Sequence, residues 1–150
     1  MQSIVINTNV NINPANAGAT TALAASGGSA LDRVAAPALA VSLRELALEL
    51  EAGQDTLRAT WGFKDGQAHC ALGVAFQRAG FVSDGDWMRP SDAFSDRYGV
   101  NSDPHRFAMT IQSSNDAVYN TALNADCRAE YAKRRLWFMR RLADFLDTPQ

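Results

Sequence analysis

Residues Gln67–Phe81, Gln-Ala-His-Cys-Ala-Leu-Gly-Val-Ala-Phe-Gln-Arg-Ala-Gly-Phe, constrain the fold more than any other stretch of the chain. At helical spacing Leu72, Ala75, Phe76 and Ala79 make one face, while Cys70 and Val74 make another. A helix from about Cys70 to Ala79 is therefore apolar nearly all round, and a helix of that kind has to be central. Gly80 is placed to stop it in a left-handed turn, with Phe81 folding back to cover the end. The same stretch carries one of two cysteines and one of two histidines, so packing and chemistry compete for it.

The rest of the chain supplies helices to surround that one. Ser42-Leu43-Arg44-Glu45 has the form of a capping box, with Val41 and Leu46 at the positions of a hydrophobic staple. Leu43, Leu46, Ala47 and Leu50 then recur on one face up to Gly53, which predicts a first helix over about 42–52. Gln54–Ala68, with Trp61, Phe63 and a Lys64-Asp65-Gly66 turn signal, reads as a loop in preference to a short hairpin. A short helix from Pro90 or Ser91 should stop at Gly99. Asp103-Pro104 is a helix opening, and it favours helix over strand for Phe107–Ile111, whose apolar residues fit both periods. Gln112–Asn124 reads as polar and turn-rich, anchored by Val118, Tyr119 and Leu123. A last helix over about 125–146 places Ala132, Leu136, Met139, Leu142, Ala143 and Leu146 on one arc. Arg135 falls inside that arc, where it must reach out along its stem or pair with an acid.

Met1–Ala40 is a different material, with one acid (Asp32), one base (Arg33), no aromatic residue and a surplus of Ala, Ser, Thr, Asn and Gly. It reads as an N-terminal arm, 1–40, ahead of a single domain, 41–148. Ile6, Thr8, Val10 and Ile12 alternate with four asparagines, so a short strand over 6–13 that docks on a sheet edge is one alternative to a disordered leader. With 150 residues there is material for one core. The expected fold is mainly α, a small domain of four to five helices with an extended arm.

Leu50-Glu51-Ala52-Gly53, then Gly66-Gln67-Ala68-His69-Cys70-Ala71-Leu72-Gly73-Val74, then Ser114-Asn115-Asp116 before the last helix, resemble a group of small uncharacterised bacterial and phage-encoded proteins. Their shared pattern is a Cys-x-Leu-Gly-Val segment and a later Asn-Asp, and the likeness covers about residues 43–146. The chain has His69-Cys70 where the group often has paired cysteines. The resemblance implies a phage or prophage origin and no reaction.

Candidate functional residues fall in two places. Trp137 lies outside the apolar arc of the last helix, with Lys133, Arg134, Arg140 and Arg141 around it at spacings that let cations lie against the indole. A large aromatic side chain in a basic collar suits an interface hot spot or a stacking platform for a base; packing beneath the arm or a loop is the structural alternative. Cys70 at a helix N-terminus is a minority candidate nucleophile, with His69, His105 or Asn115 as partners. His69, Cys70, His105 and Cys127 are soft enough for zinc, but no local ligand pair repeats, so no metal and no cofactor is expected. The net charge of −2 gives no general pull toward nucleic acid, even though Ala125 onward carries six basic residues against four acidic ones. No apolar run is long enough for a membrane span. The reading that follows is a non-enzymatic protein that binds another protein, in a bacterial cytoplasm, as a phage accessory or inhibitor of a host protein. The alternatives are a virion or assembly component that uses the arm, a homo-oligomer, and a hydrolase centred on Cys70.

Overall fold

The computed structural model describes residues 30–59, 63–64, 66–83 and 89–148. It is mainly helical, with five α-helices among the described residues: α1 (Ala36–Glu51), α2 (Ala71–Arg78), α3 (Asp92–Tyr98), α4 (Asp103–Val118) and α5 (Ala125–Asp147). A turn of 3-10 helix, Ala30–Asp32, precedes α1. Two short strands, β1 (Phe63–Lys64) and β2 (Gln67–Ala68), lie between α1 and α2. The expected strand at 6–13 and most of the expected arm lie outside the described residues.

The first helix starts six residues ahead of the capping box. Ala35 is its extended N-cap and Pro37 stands in its first turn, where a missing N–H costs nothing. Ser42 is buried in mid-helix and donates its hydroxyl to the Ala38 carbonyl at 3.0 Å, while Val41, the expected staple, is exposed. The longer helix wins because Leu39 and Ala40 extend the apolar face of Leu43, Leu46 and Ala47, and all five are buried. Burying one leucine is worth about 2 kcal/mol, more than a typical cap. The boundary expected at residue 40 consequently falls inside a core helix, and Ala30 and Val34 are core residues as well.

Gly53 closes α1 at φ +83°, with Gly53 N–H donating to Leu50 O and Gln54 N–H to Glu49 O, a Schellman stop. Between α1 and α2 the hairpin reading holds and the loop reading does not. Phe63 pairs with Ala68 and Lys64 with Gln67, antiparallel, and Gly66 supplies φ +77° for the turn. The reason is burial: pairing sets Phe63 and Ala68 side by side, and both are buried.

Helix α2 is as central as its composition demands. Ala71, Leu72, Gly73, Ala75 and Phe76 are buried, and Phe81 N–H returns to Phe76 O at 3.0 Å after Gly80. The Phe81 ring then stands 5.9 Å from Phe76, which in turn lies 5.8 Å from Phe94 of α3. Helices α4 and α5 form an antiparallel hairpin, and α1 runs along the C-terminal half of α5. Arg44 bonds to Asp144 at 2.8 Å and to Asp147, and Arg140 reaches Glu51 at 3.0 Å. The polar Gln112–Val118 segment, expected to be irregular, completes α4, because Ser114 and Asn115 continue the buried face begun by Ala108 and Ile111.

Candidate functional site

Two arrangements gather the residues that carry chemistry. The first is a buried polar hub at the N-terminus of α2. Cys70 is its N-cap, fully buried, and its Sγ accepts the Gly73 N–H at 3.3 Å. Asn115 of α4 completes the same helix start. Its Oδ1 accepts from Ala71 N–H at 3.3 Å and from Arg135 Nη1 at 2.9 Å, while its Nδ2 donates to the Arg58 carbonyl at 2.9 Å. One amide thus joins α2, α4, α5 and the segment after α1.

Arg135 is 2% exposed, inside the apolar arc of α5, and the acid it finds is Asp55 at 3.4 Å. It also donates to Tyr119 Oη at 2.9 Å and lies over the Tyr119 ring at 5.5 Å. Tyr119 Oη donates to the Asp55 carboxylate at 2.6 Å, and the same carboxylate accepts the Leu57 N–H at 2.8 Å. Burial, together with this negatively charged partner, pushes the Tyr119 hydroxyl up to about 12. Asp116, next to Asn115, has its carboxyl raised above the ordinary value by burial alone. Arg135 as an arc residue seeking an acid was legible in the sequence; Asp55 was not, because it lies 80 positions away.

The structure brings together part of the residues proposed as a catalytic set and sets His105 apart from them. Cys70 and Asn115 meet at the start of α2, but Asn115 is spent on Ala71, Arg58 and Arg135. His69 Nδ1 stands 3.3 Å from Arg58 Nη2. His105 lies ten residues before Asn115, about 15 Å along α4, where its Nδ1 accepts the N–H of Asn101, a residue at φ +64°. Cys70 and Cys127 are not bridged: one is buried at α2 and the other exposed on α5. Among the described residues no group of three or more His, Cys, Asp or Glu side chains could hold a metal ion, and no helix is long and apolar enough to cross a membrane.

The second arrangement is the outer face of α5. Asn124 caps the helix by accepting the Cys127 N–H at 2.9 Å. Asp126, Cys127, Glu130, Lys133, Arg134 and Trp137 border a depression of about 680 Å³. Trp137 is 55% exposed and so is not a core residue; the alternative that it packs beneath the arm falls on residues outside those described. Arg141 lies over its ring at 5.2 Å and over Phe107 of α4 at 5.3 Å, so one guanidinium braces the indole against the hairpin. Lys133 is held loosely by Glu130 at 3.3 Å. Arg140, the fourth cation expected in the collar, turns to Glu51 and leaves it. Asp126 and Glu130, three and two turns from Trp137 on the same face, are the members that a count of basic residues passes over.

Comparisons of the chain with family models, curated proteins and solved structures return no match.

Proposed function

We propose that this chain is a non-enzymatic binding protein that engages another protein through the outer face of α5. The observation that carries the reading is Trp137, a large aromatic side chain left more than half exposed and braced by Arg141 in a ring of charge. Trp and Arg are among the residue types enriched at hot spots, and an indole braced in advance lowers the entropy cost of docking. Asp126 and Glu130 on the same face favour a protein partner over nucleic acid, since both would repel a phosphate backbone. The hub around Cys70 supports an architectural role for the thiol, which faces the core and caps a helix. The phage or prophage origin, and action as an accessory or inhibitor of a host protein in the bacterial cytoplasm, come from the resemblance of the Cys-x-Leu-Gly-Val and Asn-Asp segments.

The test is capture from a bacterial lysate by immobilised wild-type chain and by Trp137→Ala. A partner lost with the substitution while the melting temperature stays unchanged supports the reading. A partner retained, or a melting temperature that falls in step with capture, overturns it.

A further inference from the structure

We propose that the occupant of this face is a second copy of the chain, paired antiparallel through the Trp137 face of α5 about a two-fold axis at the level of residue 132 along the helix; the inference rests on the reading of the face as a binding surface. Helix α1 ends level with Arg140, where Glu51 meets it, so the part of α5 from Ala125 to Arg134 projects past α1. Asp126, Cys127, Glu130, Lys133 and Arg134 are all exposed along that projection.

The order of charge along the face is what selects the partner. Read toward the C-terminus, Asp126 and Glu130 come first and Lys133, Arg134 and Arg141 follow, while Asp144 beyond them is engaged by Arg44 of α1. Parallel copies would set like charges against each other. Antiparallel copies set acids against bases on both sides of the axis, which is the self-complementary arrangement of an isologous dimer. With the axis at the level of residue 132, Glu130 of each copy is level with Arg134 of the other, about 3 Å from the axis along the helix. Trp137 is then level with Cys127 of the other copy, about 7.5 Å from the axis. A small side chain stands opposite a large one, so the indole enters the depression bordered by Asp126, Cys127 and Glu130. The two Cys127 thiols are about 15 Å apart along the axis, so the pairing is non-covalent.

Sedimentation velocity of the full chain under reducing conditions, across the micromolar range, tests this. The wild type is expected to show a concentration-dependent dimer, which Trp137→Ala abolishes. Glu130→Arg alone and Arg134→Glu alone should each weaken association about tenfold or more. An equimolar mixture of these two variants should restore the dimer, because each cross-pair then regains opposite charges. Both positions are exposed, and circular dichroism checks that the variants fold. A wild type that stays monomeric, single reversals that dimerise like the wild type, or a mixture no tighter than its parts overturns the pairing. A monomeric wild type that still captures another protein through Trp137 overturns only the second copy as occupant. A dimer without such capture supports the pairing and removes the outside partner.

Discussion

Asn115 shows how much a single amide can decide. It serves one backbone donor, one backbone acceptor and one buried cation, so its removal leaves three polar groups short of a partner. Asn115→Ala should cost about 3 kcal/mol in denaturant unfolding, well above the change expected for a surface substitution. Tyr119 makes the same hub sensitive to alkali. Its hydroxyl titrates at about 12 in the folded chain against an ordinary 10.0. A folded value above the unfolded one means that the contribution is complete below pH 10 and is lost as pH rises through 12. Wild-type stability should therefore fall more steeply over that window than that of Tyr119→Phe, with one of the three tyrosines ionising late in near-ultraviolet absorbance. For the cysteines, a thiol reagent should label Cys127 quickly and Cys70 only as fast as the fold opens. Rapid labelling of Cys127→Ser would contradict the buried cap.

At the scale of elements, local signals and packing compete, and α1 records the outcome. A Ser-x-x-Glu pattern is a sound helix start, yet Ser42 bonds backward to Ala38 and the helix begins at Ala36. The two accounts differ measurably. A cap would make Ser42→Ala cost about 1 kcal/mol, whereas the observed back-bond predicts a change within about 0.5 kcal/mol, read from urea midpoints. Stops were more legible than starts: Gly53, Gly80 and Gly99 were all identified in the sequence, and all three adopt positive φ. A residue that must be left-handed advertises itself, whereas a helix can begin at any of several nearby residues.

For the whole molecule, the α4–α5 hairpin, α1 and the central α2 share one core, closed at one end by the Asp55–Arg135–Asn115 hub. The boundary placed at residue 40 omitted the 3-10 turn, the connection after it and the first turn of α1, where Ala30, Val34 and Leu39 respectively are buried. A chain starting at Val41 should consequently unfold well below one starting at Ala30, by at least the roughly 2 kcal/mol that burial of Leu39 contributes. Equal melting temperatures for the two truncations would return residues 30–40 to the arm.

Periodicity and punctuation in the sequence were enough to determine a mainly helical domain, a central helix over Cys70–Ala79, the apolar arc of the last helix and the exclusion of Trp137 from it. These follow from contacts a few residues apart, which spacing encodes directly. Only the tertiary structure decided that Arg135 meets Asp55, that Asn115 closes the start of α2, that Arg140 leaves the Trp137 collar for Glu51, and that Cys70 caps a helix. The Cys70 cap is local, three residues from Gly73, and needed only the choice of rotamer; the other three depend on groups brought together from distant parts of the chain, where the loss of water around a charge or buried polar group sets the energy and no local pattern records the partner.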